Sequence, residues 1–131
     1  MIGNPVAAAA RGCVGVRFRP QGRDPVRGLD CVGLVAVALA GAGAKVAVPH
    51  GYAMRGGDPG EVAAALCATG LRLAAEEWAG DVLVCRSGPG ALHLAIDGGG
   101  SVIHADAGAG RVVERPGTPP WPVIARFRWE G

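Results

Sequence analysis

Three side chains in this sequence are of types that could share one piece of chemistry: Cys31, His93 and His104. Cys31 sits in "GLDCVGLVAVALAGAG", directly after Asp30 and before an almost unbroken apolar run. A cysteine in such company is core filler, a metal ligand, a disulfide partner or a nucleophile. The local sequence predicts a helix beginning here, with Asp30 as N-cap and Gly41 or Gly43 as the stop. A thiol in the first turn feels the positive end of the helix dipole and free backbone N–H groups. Both lower its pKa, and the same N–H groups can hold an oxyanion.

The two histidines lie in "LHLAIDGGGSVIHAD". A turn over Asp97 to Gly100, or a tighter one at Gly98 and Gly99, pairs Ile96 with Ser101. That register sets His93 directly opposite His104 on one face, with Cβ atoms about 5 Å apart. Alternation sends Leu92, Leu94 and Ile96 to the other face. One use of such a pair is a base with an orienter. His93 takes a proton at one ring nitrogen while His104 hydrogen-bonds the other and fixes the tautomer. The plainer reading is two unrelated histidines in a glycine-rich hairpin. The chemical reading further expects the Cys31 sulfur within hydrogen-bond reach of His93.

These residues need elements to position them. The helix from Cys31 is apolar on nearly every face, so it is expected to be central and buried. A short Ala-rich helix is predicted over Val6 to Val14, and another over Pro59 to Ala68 with Gly70 past its end. "RFRPQGRDPVRG" and "VAVPHGYAMRGGDPG" read as loops. After Gly80 come "DVLVCR", "LHLAI", "SVIHA", "RVVE" and "WPVIARFRW", short β-rich runs between Gly and Pro clusters. Helices followed by an antiparallel meander make an α+β domain, and the 131 residues suit a single one, 1–131.

Composition excludes several classes. Net charge is only +2 with scattered Arg, which argues against a nucleic-acid surface. No apolar run is long enough for a membrane span. "MIGNPVAAAARG" lacks the basic and apolar regions of a signal peptide, so the expected place of synthesis is the cytoplasm, with free thiols. Cys13, Cys31, Cys67 and Cys85 contain no close pair. A zinc site would show one, so neither metal nor cofactor is expected. Cys13, Cys67 and Cys85 read as core.

The motifs resemble those of the NlpC/P60 cysteine peptidases, within the papain-like fold. "GLDCVGLV" is similar to that family's G-x-D-C-S-G-L-V nucleophile motif, and "AGDVLV" to its P-G-D-L-V strand. "LHLAIDGGGSVIHA" is similar to H-V-G-I-Y…G…V-I-H-A, and "VRFRPQGRDPVRG" to P-Y-R-x-G-G…G. The "QGRDP" and "DCVGLV" variants look most like the branch found in phage tails and gene transfer agents. The resemblance implies hydrolysis of peptidoglycan stem peptides, typically at the γ-D-glutamyl to diaminopimelate bond. It implies Cys31 as nucleophile, His93 as base and His104 as orienter, with Asp30 meeting the free amine of the stem peptide. It also implies delivery by a virion or gene-transfer-agent particle, with tail hub or baseplate proteins as partners.

The chain departs from the pattern at two positions. Phe18 stands where the family often has a tyrosine whose hydroxyl assists the oxyanion hole; loss of that donor lowers activity by roughly two orders of magnitude if nothing replaces it. Val32 replaces the common serine and alters the substrate pocket. Tyr52 can line the cleft, although a surface-loop aromatic is the plainer reading, and His50 reads as a solvated loop residue. Trp121 is expected to pack under the sheet, and Arg23 to pair locally with Asp24. Two further readings compete with the peptidase. One is a structural tail-tip or baseplate subunit with little catalysis. The other is an amidase or acyltransferase on a related fold.

Overall fold

A computed structural model describes residues 4–45 and 58–131. Helix α1 spans Pro5–Arg11, shorter than the sequence suggests, and Asn4 caps it by accepting from the Val6 and Ala7 amides. Two short strands, β1 (Arg23–Asp24) and β2 (Gly28–Leu29), pair antiparallel just ahead of helix α2, Cys31–Gly41. Helix α3 covers Pro59–Ala68, as its Pro start and Gly70 stop predict. The strands that follow are β3 (Arg72–Leu73), β4 (Val82–Gly88), β5 (Ala91–Asp97), β6 (Ser101–Asp106), β7 (Arg111–Pro116) and β8 (Val123–Arg128).

All five β-rich runs form strands of one antiparallel sheet, ordered β3-β8-β4-β5-β6-β7. The expected simple meander holds only from β4 to β7. Strand β8 crosses back to lie between β3 and β4. Arg126 and Arg128 anchor it there on Asp81, which is fully buried. Arg126 also reaches Asp97 at 2.8 Å. A buried carboxylate requires paired partners, and these arginines supply them.

Helix α2 is apolar all round because it is covered on several sides. Cys31, Val32, Gly33, Leu34, Val35, Ala38 and Leu39 are buried. They pack with Leu92, Leu94, Ile96, Ile103 and Ala105 from one face of the sheet. Helix α1 closes on α2 where Ala9 meets Gly41, a position at which a larger side chain would collide. The opposite face of the sheet carries a smaller cluster of Leu83, Cys85, Ala95 and Val102, with Trp121 packed on it.

The first turn of α2 is fixed in part by close backbone contact. A Cβ on Gly33 would run into the carbonyl of Gly22, and a Cβ on Gly22 into the carbonyl of Gly28. Gly28 itself has φ +138°, a conformation L side chains rarely adopt. The polar loop therefore lies flat on the helix start. Gly33→Ala is expected to lose roughly 1–3 kcal/mol or more of stability through this overpacking. Gly88→Ala, with open space at its Cβ, should stay within about 0.5 kcal/mol. Urea denaturation of both variants checks the contrast.

Candidate active site

The site is assembled from the start of α2 and the β5–β6 hairpin. Asp30 is extended, at φ −97° and ψ −171°, and its carboxylate accepts from the Gly33 amide at 2.8 Å. It also accepts from the Gln21 amide at 3.0 Å and from Arg23 Nη1 at 2.7 Å. The expected Arg23–Asp24 pair is not formed. Arg23 turns to Asp30 instead, and Asp24 accepts from the Val26 amide. Three donors on one small, mostly buried carboxylate hold the turn that carries Cys31. Arg23 Nε and Nη2 are buried and make no hydrogen bond among the described residues.

Cys31 occupies the first helical position and is 6% exposed. Its pKa is pushed up from 9.0 to about 11, first by burial. The Leu94 and Val32 N–H groups and Arg23 pull the other way, while Asp30 adds to the rise. Burial outweighs the helix N-terminus here, so the resting group is a thiol. The lowered value expected from the helix dipole is not realised in this state.

The hairpin brings the two imidazoles together by a different register from the one expected. Ile96 pairs with Ile103 and Asp97 with Val102. The turn centres on Gly99 and Gly100, at φ +79° and +106°, closed by the Gly98 amide on the Ser101 carbonyl at 2.8 Å. Positive φ at both central residues is the type I′ requirement. The register is displaced by two residues, so every side chain keeps its expected face. Extended along the strands, it sets His104 level with Ala95, which makes His93 and His104 diagonal neighbours. Their rings still meet: His93 Nε2 lies 3.1 Å from His104 Nδ1, with ring centroids 5.1 Å apart. One of these nitrogens carries the shared proton; where it is His93 Nε2, Nδ1 of His93 is the basic position.

Both imidazoles are held neutral. Burial, followed by the neighbouring His104, pushes His93 from 6.5 down to about 4, against a smaller opposing pull from Asp106. Burial also lowers His104, with Asp106 opposing and Arg115 reinforcing.

The sulfur and the imidazoles do not meet as expected. Cys31 belongs to the cluster on the α2 face, whereas His93 and His104 share the other face with Trp121. Among the described residues no hydrogen bond joins Cys31 to His93; the thiol is approached by the backbone N–H of Leu94. The two groups are therefore neighbours across the backbone of β5. The β5–β6 ladder pairs only near the turn, so β5 is open toward β6 at the level of Leu94.

The remaining residues fall out as follows. Val32 is buried beside Cys31, and Phe18 is half-buried against the core, bridged to Leu29. Tyr52 and His50 lie outside the described residues. Cys13 and Cys85 are buried, but Cys67 is exposed, because it falls on the outer side of α3, where Val62 and Leu66 face inward. Among the described residues no cluster of His, Cys, Asp or Glu is placed to hold a metal ion, and no helix is long and apolar enough to cross a membrane. Sequence reasoning missed that Cys85 is the register partner of His93 and that Trp121 touches both imidazoles. Once Cys85 was placed on β4, strand alternation could have suggested the first. Nothing local marks the second.

No protein-family model and no curated protein sequence matches this chain. Its fold is nevertheless the mixed α+β fold of NlpC/P60 domains. The chain is similar to the P60 domain of antigen MAP1204 from Mycobacterium avium subspecies paratuberculosis, with TM-score 0.65 and 21% identity over 95% of this chain and 91% of that one. It is similar to RipB of Mycobacterium tuberculosis, a peptidoglycan hydrolase, with TM-score 0.62 and 24% identity over 95% of this chain and 62% of that one. It is also similar to NlpC1 of Trichomonas vaginalis, with TM-score 0.69 and 18% identity over 98% of this chain and 46% of that one.

Two outcomes follow from the burial of the site. At neutral pH iodoacetamide should modify Cys67 first and leave Cys13, Cys31 and Cys85 protected until denaturant is added; peptide mass spectrometry reads this directly. The second concerns acid. A histidine whose folded pKa lies below its unfolded value is stabilised only while neutral, so stability should fall as pH drops from 6.5 toward 4. For His93 alone the loss is up to roughly 3 kcal/mol. The urea midpoint of wild type should therefore drop faster across this window than that of His93→Gln.

Proposed function

We propose that this chain is a thiol hydrolase acting on peptidoglycan stem peptides, with Cys31 as nucleophile, His93 as base and His104 as orienter. The observation that carries the reading is the hydrogen bond between Nε2 of His93 and Nδ1 of His104, in an NlpC/P60 fold whose helix α2 begins at Cys31. With Nε2–H of His93 as the donor to His104, Nδ1 is left to accept a proton. RipB, a peptidoglycan hydrolase of the same fold, supports the substrate class.

In this reading the Cys31 proton passes to His93 Nδ1 and the thiolate attacks the peptide carbonyl. The oxyanion rests on N–H groups at the start of α2. His93 then protonates the leaving amine, and water hydrolyses the thioester. The separation of thiol and imidazole describes a resting enzyme. For the productive pose, the His93 ring comes round the open side of β5. Asp30 meets the free amine of the stem peptide with what capacity its three present donors leave, while Val32 and Tyr52 shape the pocket. The bond is the γ-D-glutamyl to diaminopimelate link. The chain is made in the bacterial cytoplasm and carried to the wall by a phage-tail or gene-transfer-agent particle.

A second reading, a structural tail subunit with little catalysis, draws on the buried thiol with its raised pKa and on Phe18 in place of a tyrosine. Muropeptide digestion followed by mass spectrometry separates the two. Cys31→Ala or His93→Ala should cut turnover by at least about 10³-fold. Phe18→Tyr should raise it, by up to about 10²-fold if the hydroxyl reaches the oxyanion. Undiminished cleavage by Cys31→Ala overturns the assignment. A wild type that leaves every muropeptide intact points to the structural subunit.

A further inference from the structure

Trp121 lies in "GTPPWPV", the segment joining β7 to β8. Its indole sits 4.7 Å from the His93 ring and 4.9 Å from the His104 ring, at 65° and 90° to them. The two imidazoles are themselves at 84°. Three rings thus meet edge to face, each touching the other two, the arrangement in which ring edges and faces attract. Beneath them lie Cys85, Ala95 and Val102, so His104 is buried between the sheet and the indole and His93 is half-buried beside it.

The segment is built to hold that position. Pro119, Pro120 and Pro122 flank the tryptophan and restrict its backbone. The Pro122 carbonyl accepts from the Arg86 amide at 3.0 Å, tying one end to β4. The Gly117 amide donates to the Gly100 carbonyl at 2.9 Å, tying the other end to the turn of the histidine hairpin. One anchor is on β4, next to β5, and the other is in the turn joining the two strands that carry the imidazoles.

We propose that Trp121 is a positioning residue for the His93–His104 pair, closing one face of the sheet over both imidazoles so that they stay in contact with each other and away from water. In the hydrolase reading this is the resting arrangement, which His93 leaves when its ring turns to Cys31; the role rests on that reading for its purpose, though not for its test. The groups facing the pair are Cys85 from β4, Asp106 with its register partner Arg111, Arg115 from β7, and the indole. Asp106 favours the charged imidazole, Arg115 opposes it at His104, and Cys85 and the indole are uncharged. Exclusion of water is the largest influence on both rings. The indole is the cover that a single substitution removes.

The test is a titration of the imidazole resonances by NMR, on the full chain carrying Cys31→Ala so that no hydrolysis intervenes. With Trp121→Ala, the His93 and His104 midpoints should both rise by about one pH unit or more toward 6.5. With Trp121→Phe, which keeps an aromatic cover, they should stay close to the Trp121 values. Should the alanine variant not fold, Trp121→Leu replaces it. A folded leucine variant is expected to raise both midpoints by a smaller amount, because it covers less of the two rings. Midpoints that do not move in a folded alanine or leucine variant overturn the proposal and make Trp121 ordinary packing. Because the imidazoles are read directly, shifted midpoints alongside an inactive wild type would sink the hydrolase reading and leave this one standing.

Discussion

The contact between the Gly22 carbonyl and the first turn of α2 constrains everything built around it. It exists because Gly33 has no side chain. With the loop that close, the Gln21 amide and the Arg23 guanidinium both reach Asp30, whose carboxylate at the same time caps Gly33. Asp30 is thus a junction of loop and helix, and Cys31, the next residue, inherits its position from that junction. The requirement is for absent atoms at Gly22, Gly28 and Gly33 as much as for present ones at Asp30.

At Cys31 two effects compete. A helix start favours a thiolate, and burial disfavours it. Coverage by the sheet face, with a carboxylate adjacent, makes burial win. At His93 the same burial favours the neutral base. Thiol and imidazole are therefore both uncharged, which is the cheapest way to keep them out of water. An ion pair between them would have to be created by a change in surroundings, and the open stretch of β5 is where the surroundings can change.

Much of this was legible in the sequence. Asp30, Cys31 and the glycines after the apolar run gave the limits of α2, because capping is local chemistry. The helix over Pro59 to Ala68 and the five strand runs were legible for the same reason. The face of His93 and His104 followed from period-2 alternation, which survives a displacement by two residues. What failed depended on distance or choice. Three successive glycines allow several turns, so the turn that forms is set by the sheet around it. Cys67 looked apolar but lies on the uncovered side of α3. That Cys31 and His93 sit on different faces depends on which face α2 covers, and that α2 covers the face of Leu92, Leu94 and Ile96 appears only once the sheet is assembled.

The place of β8 bears on how the chain reaches this state. The last strand in chain order lies inside the sheet, and its Arg126 meets an aspartate 45 residues earlier. Until β8 arrives, β4 offers an unpaired edge and Asp81 has no counter-charge. The hairpin of β5 and β6 needs only neighbouring residues, so it can form early and on its own timescale. Completion of the sheet waits on a long loop closing, the slow event in folds dominated by non-local pairing. The imidazole pair can therefore come together first, while the indole that covers it, carried just ahead of β8, arrives with the final strand.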